Sequence, residues 1–248
     1  MAHKASIGKT ADRHDPLIDG FLQAISAMRA ASPNTLAAYR RDLFDCQIGL
    51  AKNGQTLGAC NADELRAVIS WWHQRQLSPR SVARRLSAVR QFMGWAVEDG
   101  LRSDNPTRWI DNPSLPASLP KSLSEAEIAR LLEAAAAVTP ELAALRALAM
   151  LEILYATGLR VSELVGLLVS QFRRNPEVIL VTGKGRRERV VPLGDTGRAA
   201  AARWIECRDR NASFVLSDFM FPSEDGSTMT RHQFAQMLKK LAISADID

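Results

Sequence analysis

Three groups of side chains in this sequence have types and spacings suited to chemistry on an anion. In Tyr155-Ala-Thr-Gly-Leu-Arg-Val-Ser-Glu-Leu-Val-Gly-Leu167, an arginine follows a glycine break and a glutamate stands three residues on, so Arg160 and Glu163 share a helix face. A guanidinium fork can grip a phosphate bidentately without a metal; the ordinary alternative is an i,i+3 ion pair at a helix start. In Thr182-Gly-Lys-Gly-Arg-Arg-Glu-Arg-Val-Val-Pro-Leu193, Lys184 sits between glycines with Arg186 and Arg187 beside it. A phosphate-binding P-loop is excluded, because no glycine stands at the required offset and no Ser or Thr follows the lysine. A thin ribbon with a lysine at its tip can enter a DNA groove or approach a phosphate, the alternative being a solvated turn. The third group is a set of arginines in the first half, Arg40 and Arg41 in one segment and Arg80, Arg84, Arg85 and Arg90 in another. These are either a solvated helix surface or a surface that tracks phosphates and releases their counterions.

The elements that must hold these side chains are mostly helices. Pro16 to Arg29, Pro33 to about Lys52, Asn61 to Gln76 and Pro79 to Asp99 carry helix-type spacing. Ser32-Pro33 and Ser78-Pro79 each set a serine N-cap before a proline at the first helical position, and Gly100 is placed for a C-cap. Val82, Leu86, Val89, Met93 and Val97 recur at three- and four-residue steps as one buried stripe, with the arginines of that segment mostly off it. Asn112 to Pro120 holds three prolines in nine residues, which cannot continue a helix and favour an extended linker. Two domains follow, 15–112 and 122–248, joined by 113–121. In the second, Ser124 and Glu127 are spaced as a capping box, a helix runs from Glu141 to Thr157, Gly158 interrupts it, and helical spacing resumes from Arg160 to Leu168. Val178 to Thr182 and Glu188 to Pro192 read as a β-hairpin, and helices return over Thr196 to Arg210 and Arg231 to Ala245.

The 248 residues are 46% hydrophobic and 24% charged, with a net charge of +5, which excludes disordered, collagen-like and membrane-embedded classes. Residues 1–113 hold fifteen basic and eleven acidic residues, so the surplus lies in the first half and points to polyanionic partners. Cys46, Cys60 and Cys207 lie far apart, which argues against a zinc site or a disulfide framework and for reduced, partly buried thiols. The first fifteen residues show no secretory signal and no stretch approaches a membrane span, so a cytoplasmic protein with no membrane partner and no metal is expected.

Taken in order, the two segments of the second half resemble the tyrosine recombinase (phage integrase) family, closest to its Xer-type members. The Ala-Thr-Gly-Leu-Arg-Val-Ser-Glu-Leu run is similar to the family's first arginine box, and Gly-Lys-Gly followed by Val-Val-Pro-Leu to its lysine hairpin. Leu123-Ser-Glu-Ala-Glu-Ile128 and Phe219-Met-Phe-Pro-Ser223 are also similar to family positions, while Ser32 to Leu43 and Leu86 to Phe92 resemble its core-binding helices. The resemblance implies a mainly α fold with a small β-hairpin, an N-terminal SAM-like core-binding domain, and a partial α+β catalytic domain. It implies metal-free, cofactor-free phosphoryl transfer on duplex DNA through a 3′-phosphotyrosyl link, with no small-molecule ligand. Arg160 would bind the phosphate, Lys184 would protonate the departing 5′-oxygen, and Glu163 would orient Arg160 or its neighbours. Arg40, Arg41, Arg80, Arg84, Arg85, Arg90, Arg186 and Arg187 would contact DNA. The intact parent would work as a DNA-bound tetramer, with a second related recombinase as a candidate partner.

The family's His-x-x-Arg box is absent from these 248 residues: no His is followed by Arg at the third position. Neither tyrosine suits the nucleophile's place; Tyr39 and Tyr155 read as packing residues with a polar tip, and His232 as part of a helix start. Leu241 to Asp248 resembles the family stretch just ahead of the missing box, so the expectation is a fragment that binds duplex DNA in a salt-sensitive manner without forming a covalent adduct. The rival expectations are a natural DNA-binding remnant that occupies or interferes at recombination sites and a helical DNA-binding regulator.

Overall fold

The computed structural model describes residues 14–29, 31–114, 122–174, 176–183, 185 and 187–247. The chain divides into two compact units, Met1–Leu119 and Pro120–Asp248. Most of the proline-rich linker, residues 115–121, lies outside the described residues.

The first unit is built from α1 (Pro16–Arg29), α2 (Pro33–Ala51), α3 (Ala62–Gln74) and α4 (Pro79–Glu98), closed by a 3-10 turn over Pro106–Trp109. Each start is fixed by local chemistry. The Ser32 and Ser78 hydroxyls accept from the backbone N–H of Thr35 and Ser81, both at 3.2 Å, ahead of Pro33 and Pro79. Asn61 and Glu64 form a reciprocal capping box at the head of α3. Past α4, Gly100 takes φ +71, the left-handed conformation that ends a helix cheaply only with glycine. Ile18, Phe21, Leu22 and Ile25 of α1 meet Val82, Leu86, Val89, Phe92 and Met93 of α4 in one core. Phe21, Phe92 and Trp95 contact one another there, each ring 5.7 Å from the next, and Tyr39 lies 5.9 Å from Phe21, a packing residue as expected. The stripe of α4 is wider than its three-and-four spacing foretold: Phe92 and Ala96 are buried with it, whereas Val97 is only half-buried. Cys46 and Cys60 are free and buried, and burial pushes both thiols up in pKa, Cys60 to about 11.

The second unit contains α5 (Glu125–Ala136), α6 (Glu141–Thr157), the single turn α7 (Val161–Leu164), a 3-10 turn at Val169–Gln171, strands β1 (Val178–Thr182) and β2 (Glu188–Pro192), α8 (Gly194–Asp209) and α9 (Arg231–Ser244). The strands pair antiparallel, with Leu180 opposite Val190 and Val181 opposite Arg189. Ile179, Val181 and Val191 face a core that also holds Met150, Ile153, Trp204, Met220, Phe221 and Phe234. The fully buried Trp204 donates its indole N–H to the Met220 carbonyl at 2.7 Å, and the fully buried Arg208 donates to the carbonyls of Ser217 and Phe219. The Phe219–Ser223 stretch is therefore a core strap. At the other end of this unit, Arg130 of α5 donates from Nε to the Ala245 carbonyl at 3.1 Å, capping the last turn of α9.

Two expectations from sequence need correcting. Arg160 to Leu168 is not a continuous helix, because α7 stops after one turn. The backbone beyond it pairs instead with the 218–220 strap: Val169 N–H donates to the Asp218 carbonyl at 2.9 Å, and Met220 N–H to the Leu167 carbonyl at 2.7 Å. Tyr155 is not a packing residue; it falls on the outer side of the last turn of α6 and is 61% exposed. His232 does lie in the first turn of α9. Among the described residues no helix is long and apolar enough to cross a membrane, and no group of three His, Cys, Asp or Glu is placed to hold a metal ion.

Candidate active site and nucleic-acid interface

The site in the second unit is assembled by a helix stop. Gly158 ends α6 with φ +60, which turns the chain through the buried Leu159 and leaves Arg160 extended at the head of α7. Glu163, one turn on, points inward with its side chain 5% exposed. Its Oε2 accepts from the Arg160 backbone N–H at 2.8 Å, and its Oε1 from Arg160 Nη1 at 3.1 Å. The same carboxylate receives both arms of a second arginine: Arg189 Nη1 donates to Oε1 at 2.9 Å and Nη2 to Oε2 at 2.8 Å. This bidentate fork is the strongest geometry available to such a pair.

The Arg189 hydrogen bonds, opposed by burial and aided by the bonds from Arg160, hold the Glu163 carboxyl down at about 2. Glu163 is thus a fixed anion at neutral pH, and with four N–H donors on two oxygens it has no capacity left to relay a proton. Arg160, by contrast, gives one side-chain bond to Glu163 and keeps its side chain 67% exposed, so most of its five donors point to solvent. The arrangement presents a cationic fork whose orientation is set from behind.

The hairpin is brought to the same place. Gly183 N–H donates to the Arg187 carbonyl at 2.7 Å, and Gly185 turns the tip with φ +77. A Cβ on Gly183 would stand 3.1 Å from Arg189 Nη1 and 3.3 Å from Glu163 Oε1, so the root of the hairpin rests directly on the ion pair. Lys184 and Arg186 lie outside the described residues; Arg187 is exposed.

Arg189 was not singled out from sequence, yet a signal was present. Along β2 the outward residues alternate with Arg189 and Val191, so an arginine occupies an inward position and needs a buried carboxylate.

In the first unit, α2 and α4 share a charged seam. Asp42 is buried beneath Arg84, whose guanidinium donates to its Oδ2. Asp45 accepts from Arg85 Nε and from Arg75 Nη1, each at 2.9 Å. Arg41 lies close enough to act electrostatically on Asp42. The seam therefore brings Arg41, Arg84 and Arg85 together. Arg80 is exposed one turn from Arg84. Arg40 turns instead to Asp19 of α1 at 2.6 Å, and Arg90 to the Ile110 carbonyl at 2.5 Å and to Asn112. Asp42 and Asp45 were missed from sequence; their i,i+3 spacing around Leu43 and Phe44 is the trace they leave.

The family model described as "Phage integrase, N-terminal SAM-like domain" matches residues 18–100, and that described as "Phage integrase family" matches residues 121–248. Tyrosine recombinase XerD of Brucella suis biovar 1 (strain 1330) is 41% identical over 239 residues, covering 93% of this chain and 77% of that protein. Among solved structures, the XerH site-specific recombinase bound to palindromic difH substrate has a TM-score of 0.71 at 18% identity, covering 93% of this chain and 68% of that one. A lambda integrase tetramer bound to a Holliday junction has a TM-score of 0.65 at 16% identity, covering 94% of this chain and 63% of that one. Matched in both units, with the glycine break, the arginine–glutamate turn and the hairpin in the family's order, the chain belongs to the phage integrase family, as an Xer-type tyrosine recombinase.

Proposed function

We propose that this chain supplies the DNA grip and a phosphate site of a site-specific recombinase. Arg160 holds the scissile phosphate of duplex DNA, Lys184 delivers a proton to the departing 5′-oxygen, and Glu163 keeps Arg160 in place without transferring a proton itself. Exposed arginines of the first unit, Arg41, Arg80 and Arg84, neutralise neighbouring phosphates. The observation that carries this reading is the single buried carboxylate that ties Arg160 to the root of the Lys184 hairpin, leaving the Arg160 side chain two-thirds exposed. The recombination reaction runs on a tetramer of DNA-bound protomers, with a second related recombinase among them; the lambda integrase tetramer supports that assembly only by likeness of fold.

The test uses the 248-residue chain. Duplex DNA is expected to shield Lys184 from acetylation, read by mass spectrometry, and Arg160→Ala to abolish most of that shielding; equal labelling with and without duplex would overturn the assignment. On a nicked suicide substrate no DNA-linked species is expected on a denaturing gel. An adduct lost in Tyr155→Phe would instead make the exposed Tyr155 a nucleophile.

A further inference from the structure

We infer that Asp42 is a positioning residue for the phosphate contact of Arg84, and that duplex binding loads a proton from solvent onto the Asp42 carboxylate. The inference rests on the reading of the first unit as a DNA-binding surface. Its starting point is an unusual pairing. Asp42 is 1% exposed, while Arg84 above it keeps its side chain 45% exposed. One carboxylate oxygen, Oδ2, is bonded to Arg84; the other, Oδ1, is buried with no hydrogen-bond partner among the described residues. A buried carboxylate that is half satisfied depends on the guanidinium that bonds it.

The surroundings of Asp42 are cationic. Arg84 and Arg85 face it from α4, and Arg41 adjoins it on its own helix, with Asp45 one turn away on that helix. Arg75, at the end of α3, and Arg85 are already committed to Asp45, and from α1 Asp19 is committed to Arg40. Even with these positive neighbours, burial outweighs attraction and the Asp42 carboxyl is raised above its ordinary value.

A phosphate seated on Arg84 acts on Asp42 in the same direction by either route. If the guanidinium swings out to the phosphate, Asp42 loses the hydrogen bond that Arg84 gives it. If the guanidinium bridges both anions, the phosphate's negative charge lies close to the buried carboxylate. Both favour the protonated acid, whose new O–H also becomes a donor. DNA binding is then coupled to proton uptake, and affinity falls as pH rises between the free and bound ionisation ranges. Asp42 in this role holds Arg84 upright over the seam when no DNA is present and gives up its charge when a phosphate replaces it.

The experiment is the affinity of the 248-residue chain for a fluorescein-labelled random-sequence duplex between about pH 5 and about pH 8 at fixed salt. Calorimetry in buffers of different ionisation enthalpy gives the number of protons taken up. Wild-type affinity is expected to fall about three- to tenfold across that range, over and above the slope shared by Asp42→Asn. That variant keeps an acceptor for Arg84 while removing the charge; it is expected to bind at least as tightly at neutral pH and to take up fewer protons. Arg84→Gln, a second variant, is expected to bind more weakly and likewise to lose the extra slope. Identical slopes and proton counts in wild type and Asp42→Asn would overturn the inference while leaving DNA binding intact. Absence of any salt-sensitive duplex binding would overturn both this inference and the function on which it rests. A purely structural Asp42 would lower the melting temperature of the variant and leave the pH slope unchanged.

Discussion

At the scale of single residues, Glu163 is the centre on which the second unit's site turns. Glu163→Gln removes the charge from a carboxylate that serves two arginines, and is expected to cost about 2 kcal/mol of stability at neutral pH, read from urea unfolding. The pH dependence has a definite sign. The folded-state value of about 2 lies below the ordinary 4.5, so the contribution is whole above about pH 4.5 and is lost as the pH falls towards 2. The stability difference between wild type and Glu163→Gln should therefore shrink over that acid window; a difference unchanged down to its lower end would disprove the assignment. Arg160 and Glu163 were visible in sequence because they lie three residues apart. Arg189 escaped because its partner is 26 residues away and only the docking of the hairpin on α7 brings them together.

At the scale of elements, legibility followed punctuation. Helices opened by Ser-Pro or a capping box, and the hairpin bracketed by β-branched runs, could be bounded from sequence because capping and alternation are local. Arg160 to Leu168 could not, since what stops α7 is backbone pairing with a strap about 50 residues later, a non-local competitor for the same hydrogen-bonding groups. Tyr155 was misassigned for a related reason: an almost wholly apolar α6 has no polar side to show which residues face out. The crossing of α2 and α3 gives a further prediction. A Cβ on Gly49 would come within 2.9 Å of the Trp71 ring and 3.0 Å of Val68. Gly49→Ala should therefore destabilise the first unit by about 1–3 kcal/mol, although alanine is the better helix former; thermal melting followed by circular dichroism would show it, and a raised melting temperature would refute the close approach.

At the scale of the whole molecule, the net charge of +5 becomes informative only once the ion pairs are known. Binding to duplex DNA should weaken linearly in log affinity against log salt, with about 0.9 lost from the slope for each phosphate contact removed. The exposed Arg41 and Arg80 should each lower that slope when changed to alanine. Arg85, 14% exposed and bonded to Asp45, should cost stability and leave the slope alone; a slope change equal to that of Arg41→Ala would contradict its place in the seam. Composition alone could not separate these arginines, because it does not record which ones already have a carboxylate. The buried indole of Trp204 offers a different kind of access to the same molecule. Of the five tryptophans, Trp71, Trp72, Trp95 and Trp109 precede Pro120 and Trp204 alone follows it. Sealed from water and stacked on Phe221, Trp204 should emit at short wavelength and shift to the red only when the second unit opens. With the other four replaced by phenylalanine, the chain would carry its own optical reporter for the half that holds Arg160.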